Sequence, residues 1–175
     1  MLTPDSHQRI RYLTLLSLLC ALCITLRLIK LPIPNVQPVT DILMIATLSL
    51  GAPAGLLLAT LTMLLSNLIL GFGIWTLPQI GAYVLCIFTV ILCQHLLPLK
   101  RWFGLQIILA LFLGFEYGFF VSLGLALLGS TPAFWGYYLS GLPFDTFHSL
   151  GNLIFYPLLY PPLAKAFTRY TQHQK

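Results

Sequence analysis

The segment YLTLLSLLCALCITL, Tyr12–Leu26, is an apolar run that follows two arginines, Arg9 and Arg11. A secretory signal peptide begins in the same way, but it ends in a small-residue cleavage site. This run leads instead into Arg27, Lys30 and a proline-rich segment, and further apolar runs follow. We therefore expect it to be a first transmembrane helix that stays in the protein.

The composition of the whole chain is typical of a membrane protein. The 175 residues are 58% hydrophobic and only 7% charged, whereas soluble domains have about 25% charged residues. The formal net charge of +5 comes from Lys and Arg near segment ends rather than from one basic patch, which argues against nucleic-acid binding. The sequence thus predicts an all-α integral membrane protein.

Six apolar segments predict six transmembrane helices, since one span needs about 20 residues. We place them at about 10–30, 38–51, 53–71, 77–97, 102–129 and 143–167, within a single membrane domain of residues 1–175. Most Lys and Arg, including Lys165 and Lys175, fall on the side that holds the two termini. The positive-inside rule therefore predicts that the N and C termini are cytoplasmic. Arg27 and Lys30 count against this orientation, but at a helix end they could snorkel or pair.

The connections on the opposite side are longer and richer in aromatic and amide side chains. They are LPIPNVQPVTD (residues 31–41), GFGIWTLPQ (residues 71–79) and GSTPAFWGYYLSGLPFD (residues 129–145). Small-molecule sites combine aromatic walls with a few placed polar groups, although Trp and Tyr also mark the headgroup level of a membrane. Three enriched connections on one face favour an outward-facing pocket.

The last predicted helix begins with GLPFDTFHSLGN (residues 141–152), which carries a stripe of polar side chains. At about 100° per residue, an arc of about 100° holds Asp145, His148, Ser149 and Asn152. An ionisable residue inside a membrane span indicates a functional site, and Glu116 lies within the fifth predicted helix. We expect Glu116 and His148 to face each other across the fifth and sixth helices, either beside a ligand or as a structural pair.

Catalytic and metal-binding functions are not favoured. Asp145 and His148 have a spacing that can place two ligands on one metal ion, but no further residue completes the site. Cys20 and Cys23 have the apolar flanks of packing residues. The patterns G-x-S-x-G, H-E-x-x-H and G-x-x-x-x-G-K-[ST] are absent. We therefore predict no enzyme, no catalytic residue, no metal and no permanently bound cofactor, with a membrane-embedded hydrolase or a non-transporting assembly protein as the alternative.

The first predicted helix carries small residues at a regular spacing. Ser17, Ala21 and Thr25 recur every four residues, and small residues at this spacing let helices approach closely in lipid. Because the chain has no P-loop of its own, this face is a candidate docking surface for another membrane subunit.

These features together resemble the substrate-binding S components of energy-coupling factor (ECF) vitamin transporters, over about residues 10–167. The stretches that carry the resemblance are LPIPNVQPVTDI (residues 31–42), SNLILGFGIWTLPQIGAY (residues 66–83) and GLPFDTFHSLGNLIF (residues 141–155). They look like a subgroup often assigned to cobalamin and related corrinoids. The subgroup pattern G-x-G-P-W-T-P-W-Q-M reads GFGIWTLPQI here and lacks one Pro and the second Trp.

The resemblance implies a multi-pass protein of the bacterial cell membrane that binds a vitamin from outside beneath a lid loop. It implies docking to a scaffold membrane subunit and two ATPase subunits, which alone use ATP, and delivery of the ligand by toppling. Cobalamin or a related corrinoid is the first candidate ligand. The alternatives are riboflavin, pantothenate, pyridoxine, a thiamine precursor and a queuosine precursor. The family's A-x-x-x-A contact with the scaffold corresponds to Ser17, Ala21 and Thr25.

We predict that the ligand is bound by polar and aromatic side chains near the outward face, the polar groups through hydrogen bonds and the aromatic rings by stacking. The predicted residues are Asn35, Gln37, Thr40, Asn67, Trp75, Gln79, Tyr83, Glu116, Trp135, Tyr138, Asp145, His148 and Asn152.

Overall fold

A computed structural model of the chain describes residues 4–29, 33–131 and 133–172. The described part contains six α-helices and no β-strand. They are α1 (Pro4–Leu28), α2 (Val39–Leu50), α3 (Ala52–Leu70), α4 (Thr76–Leu96), α5 (Phe103–Leu127) and α6 (Phe134–Gln172). Lys30 and Lys175, two of the cations considered in predicting the orientation, lie outside the described residues.

The outer surface of the helical bundle is apolar. Four stretches in the described part are long and apolar enough to cross a membrane, namely Ser6–Leu28, Ala52–Leu70, Thr76–Leu96 and Phe103–Leu127. Large side chains on these helices point outward, and Leu68 and Leu77 are each 68% exposed. A soluble protein rarely exposes so much contiguous apolar surface, whereas in a bilayer such side chains contact lipid. The architecture agrees with the predicted all-α membrane protein.

The shortest helix, α2, lies at the centre of the bundle. It contacts each of the other five helices, and all its residues from Val39 to Leu48 are buried, as expected for a helix that is apolar on nearly all sides. With 12 residues and a rise of about 1.5 Å per residue, α2 is about 18 Å long. It is therefore shorter than the hydrocarbon core of a bilayer, which is about 30 Å thick.

Two glycines let α5 and α6 pack closely together. A Cβ atom on Gly114 would meet the backbone nitrogen of Ser149 at 2.7 Å, and a Cβ atom on Gly118 would overlap the carboxylate of Asp145. Small residues four positions apart allow this approach between membrane helices. The polar first half of α6 is consequently held against α5.

The structure begins α6 at Phe134, whereas the sequence predicted a helix from about 143, so Pro143 lies inside the helix rather than at its start. The aromatic residues before Pro143 explain the additional turns, because they pack as a cluster instead of forming a loop. The rings of Phe134 and Tyr138 are stacked with centroids 5.9 Å apart, and both meet the ring of Phe119 in α5 edge-on. Helix α1 also begins earlier than predicted, at Pro4.

Candidate ligand-binding site

A cavity of about 510 Å³ lies at the end of the bundle where α1 and α3 end and where α4 and α6 begin. Residues of α4, α5 and α6 form most of its wall, and the connection between α1 and α2 contributes Asn35 and Gln37. Six of the predicted binding residues line the cavity, namely Asn35, Gln37, Gln79, Tyr83, Asp145 and His148. The structure thus brings these six residues together from three separate parts of the sequence.

Two residues of the connection between α1 and α2 are hydrogen-bonded to helices on either side of the cavity. Asn35 Nδ2 donates a hydrogen bond to the carbonyl oxygen of Phe144 in α6 at 3.1 Å, and Gln37 Nε2 donates one to the carbonyl oxygen of Arg27 in α1 at 3.4 Å. Asn35 adopts a left-handed conformation with φ of 62°, which asparagine tolerates better than most residues. These bonds hold Asn35 and Gln37 at the edge of the cavity.

Two further predicted residues, Thr40 and Asn67, lie behind the cavity wall and position residues that line it. The Oγ1 atom of Thr40 is 2.7 Å from His148 Nε2 and 3.4 Å from the Tyr83 hydroxyl. Asn67 Nδ2 donates to Gln79 Oε1 at 2.8 Å. Both residues are buried, so they support the site without facing the cavity.

Arg27 is a lining residue that the sequence analysis did not predict as part of the site. Among the described residues its guanidinium pairs with no acid and instead points into the bundle. It donates hydrogen bonds to the Ser66 hydroxyl, to Asn67 Oδ1 at 2.6 Å and to Gln79 Oε1 at 3.3 Å. The rule that predicts a functional role for the intramembrane Glu116 predicts one for Arg27 as well.

Several aromatic and small residues of α5 and α6 also line the cavity without having been predicted. They are Tyr117, Gly118, Val121, Ser122, Tyr137, Ser140, Gly141 and Phe144. Tyr117 packs between Tyr83, with ring centroids 4.3 Å apart, and His148, whose ring it meets edge-on at 5.3 Å. In an apolar helix such as α5, the sequence does not distinguish an aromatic residue facing the cavity from one facing lipid.

Glu116 and His148 do not face each other as predicted. Glu116 Oε1 accepts a hydrogen bond from Thr89 of α4 at 2.5 Å, whereas His148 is bonded to Thr40 of α2. Gly114 and Gly118 are the α5 residues at which α6 approaches most tightly, and a position two residues from either lies about 160–200° away around the helix. Glu116 therefore points towards α4, away from α6 and outside the cavity lining.

Four other predicted residues lie away from the cavity wall. Trp75 and Trp135 are 44% and 66% exposed, and Tyr138 belongs to the aromatic cluster with Phe119 and Phe134. Asn152 is buried one turn beyond His148, and its Nδ2 donates to the carbonyl oxygen of Ala110 at 2.9 Å. In the polar stripe of α6, Asp145 and His148 therefore line the cavity, whereas Asn152 joins α6 to α5 by a hydrogen bond.

The cysteines and the candidate metal ligands form no site among the residues that the structure describes. Cys20 and Cys23 are buried free thiols, and Cys20 Sγ is 3.9 Å from Thr62 Oγ1. No group of three His, Cys, Asp or Glu side chains in the described part could hold a metal ion. This agrees with a packing role for the two cysteines.

The small-residue face of α1 points away from the rest of the bundle. Ser17, Ala21 and Thr25 are all exposed, while the opposite face of α1 buries Leu16, Leu19, Cys20 and Cys23. The face that the sequence predicted as a docking surface is therefore open to lipid or to another subunit.

The cavity, the apolar helices and the open face of α1 can be compared with known families. A family model described as "ECF transporter, substrate-specific component" matches residues 11–160. The chain belongs to the ECF transporter substrate-specific component family. It is thus a membrane-embedded, substrate-specific transport subunit, of a class that works with an ECF scaffold subunit and ATPase subunits. Searches of curated proteins and of solved structures found no match.

Proposed function

We propose that this S component captures a vitamin or similar small molecule from outside the cell and delivers it inward when docked to the scaffold and ATPase subunits. The observation that carries the proposal is the cavity at one end of the bundle, lined on one side by Asn35 and Gln37, which are hydrogen-bonded to α6 and α1. A cavity at one end fits a subunit that takes up its ligand from one side of the membrane. Behind the cavity wall, Thr40 of the short, buried α2 is hydrogen-bonded to the lining residue His148 of α6.

The proposed topology has six membrane crossings and both termini in the cytoplasm. Lys100 and Arg101 lie between α4 and α5, and Lys165 and Arg169 lie near the end of α6. All four are at the end of the bundle opposite the cavity, so the positive-inside rule directs the cavity outward. Arg27 no longer counts against this orientation, because its charge belongs to the cavity and not to an extracellular surface.

The size of the cavity bears on which ligand is carried. A volume of about 510 Å³ lies within the range of about 300–1,000 Å³ that is usual for drug-sized ligands. A large, amide-rich corrinoid would need a wider space with many polar contacts, so the volume favours a smaller vitamin over cobalamin. We keep cobalamin and cobinamide in the binding panel because the connection between α1 and α2 could open to admit them.

The face of α1 formed by Ser17, Ala21 and Thr25 is the proposed contact with the scaffold subunit. Its exposure in the monomer and its small side chains suit close helix packing in lipid. Thr25 Oγ1 is already bonded to the carbonyl oxygen of Ala21 at 2.8 Å, so burial in an interface would leave no unpaired hydroxyl on this residue.

Two measurements test the proposed function. The purified chain is titrated with a vitamin panel that includes riboflavin, pantothenate, pyridoxine, thiamine and its precursors, queuosine precursors, cobalamin and cobinamide. In parallel, a tagged chain is purified from membranes that also contain an ECF scaffold and its ATPases. We expect saturable binding of one class of ligand and co-purification of all three partner subunits. Absence of both would refute the proposal.

A further inference from the structure

Arg27 is a cation in the cavity, and it has no anionic partner among the described residues. Arg27 is hydrogen-bonded only to the neutral side chains of Ser66, Asn67 and Gln79, and no carboxylate of the described residues lies within salt-bridge distance of it. A charge taken out of water without a counter-ion is costly. Arg27 lines the cavity, so an anion bound there would compensate its charge.

The geometry of the bonds to Arg27 leaves one edge of the guanidinium available. A guanidinium has five N–H donors, and two of them, on Nη1, are directed at Ser66 and Asn67, while Nη2 donates once, to Gln79. The Nε donor and the second Nη2 donor remain. These two form the parallel fork that binds a carboxylate in two places.

Gln79 adds a further donor beside Arg27. Its Oε1 accepts hydrogen bonds from both Arg27 and Asn67, because a guanidinium only donates and must face the amide oxygen. The amide nitrogen of Gln79 is thereby directed away from Arg27, makes no hydrogen bond within the described residues and belongs to a side chain that lines the cavity. It can donate to the same anion.

Asp145 supplies a complementary group elsewhere in the cavity. It lines the cavity and is 6% exposed, yet within the described part its carboxylate accepts no hydrogen bond and forms no ion pair with Arg27. The cavity therefore offers unsatisfied donors at Arg27 and Gln79 and unsatisfied acceptors at Asp145. A ligand with only an anionic group would leave Asp145 without a partner, and a ligand with only a hydrogen-bond donor would leave Arg27 and Gln79 without one.

We propose that the ligand of this cavity is a small carboxylic acid whose carboxylate binds the free edge of Arg27 and whose amine, amide N–H or hydroxyl group donates to Asp145. The proposal rests on the ligand-binding role proposed above and names its substrate class. It favours pantothenate-like and amino-acid-like molecules over the neutral riboflavin and thiamine precursors and over the cationic thiamine.

The test compares acids with their neutral counterparts on the purified wild-type chain. The pairs are pantothenate with pantothenol, biotin with biotinamide, and nicotinate with nicotinamide, with riboflavin and thiamine as further probes. We expect at least one acid to bind and its neutral counterpart to bind roughly 10- to 100-fold more weakly, as for loss of hydrogen bonds to a charged group. Equal binding of both members of the bound pair, or no binding of any acid, overturns the proposal.

Variants locate the effect at Arg27. Arg27→Gln should weaken binding of the acid by a similar factor without weakening its neutral counterpart, and Arg27→Lys should have an intermediate effect because it keeps the charge but loses the fork. Arg101→Gln removes the same charge from an exposed position outside the cavity and should change nothing. Unchanged acid affinity in a folded Arg27→Gln also overturns the proposal. If that variant does not fold, the comparison of ligand pairs on the wild type decides.

The proposed function and this inference fail in different ways. Tight binding of riboflavin or thiamine together with co-purification of the partner subunits would leave the transport function standing and remove the carboxylate. Absence of co-purification with the partner subunits would count against the transport function and leave the carboxylate proposal untouched.

Discussion

The hydroxyl of Thr40 links three helices behind the wall of the cavity. Thr40 of α2 lies within hydrogen-bond distance of His148 in α6 and of Tyr83 in α4. All three side chains are at least 95% buried, so a lost partner would not be replaced by bulk water. Leaving a buried polar group without a partner costs about 1–3 kcal/mol.

Thr40→Val tests this link at the scale of one residue. The substitution keeps a branched side chain but leaves His148 Nε2 without its partner, so we expect unfolding in detergent to become easier by about 1–3 kcal/mol. We also expect weaker ligand binding, because the rings of His148 and Tyr83 line the cavity. Thr60→Val is the matched control, since the hydroxyl of Thr60 bonds only to the carbonyl oxygen of Leu56 in its own helix. Equal effects of the two substitutions would contradict the role of Thr40.

Glu116→Gln separates the structural from the ligand-binding interpretation of the intramembrane glutamate. Glu116 is bonded to Thr89 and does not line the cavity, so ligand affinity should stay within about twofold, well under the roughly tenfold loss per 1.4 kcal/mol expected for a lost contact. Gln can still accept the hydrogen bond from Thr89. Equilibrium titration of wild type and variant with the same ligand checks this, and a tenfold loss of affinity would return Glu116 to the site.

Among the elements, the contact between α5 and α6 shapes the site most directly. Gly114 and Gly118 allow the two helices to approach until the backbone at Ser149 and the carboxylate of Asp145 lie against α5. The same approach brings Tyr117 against His148. The orientation of the lining residues on α6 thus depends on residues of α5 that have no side chain.

Gly118→Ala should disturb the site through this contact. The added methyl group would overlap the Asp145 carboxylate, and overpacking of this kind costs about 1–3 kcal/mol. We expect a lower unfolding temperature in detergent together with weaker ligand binding. Gly81→Ala is the control, because a Cβ atom there has no neighbour within 4 Å and alanine favours the helix. If Gly118→Ala behaves like Gly81→Ala in both measurements, α5 and α6 are not in close contact at this point.

The sequence predicts the elements better than it predicts the site. Long apolar runs determine that helices form, so α3, α4 and α5 lie close to their predicted positions. Pro143 was expected to begin a helix, but packing of the preceding aromatic rings extends α6 to Phe134. The inward direction of Arg27 depends on Ser66 and Gln79, which are distant in sequence. Local patterns do not contain such long-range partners.

At the scale of the whole molecule, α1 lies at the edge of the bundle with one face exposed. It packs chiefly on α2 and α3, and its outer face combines the small residues Ser17, Ala21 and Thr25 with exposed leucines such as Leu18, which is 65% exposed. Arg27, which lines the cavity, lies two residues after Thr25, at the end of this face. The proposed docking face and the cavity-lining Arg27 therefore lie on different surfaces of the same helix.

Ala21→Phe should separate these two activities. A bulky side chain prevents close packing of another helix on the small-residue face, so we expect loss of co-purification with the scaffold and ATPase subunits. Ligand affinity should be nearly unchanged because Ala21 is exposed and does not line the cavity. Gly81→Phe places the same ring on an exposed face of α4 and should leave the complex intact. Parallel loss of ligand binding and complex formation in Ala21→Phe would count against a docking role for α1.

The shortness of α2 has a consequence for how ligand range can evolve in this scaffold. The connection that precedes α2 supplies the lining residues Asn35 and Gln37, so one further helical turn at the start of α2, about 5.4 Å, would displace both of them. Adding or deleting a turn at the start of α2 would therefore change the capacity of the site through the placement of Asn35 and Gln37, with the outer helices left in place. Diversification for larger or smaller cargo is therefore expected to proceed by insertions and deletions near residues 33–38 as well as by point substitutions in the wall.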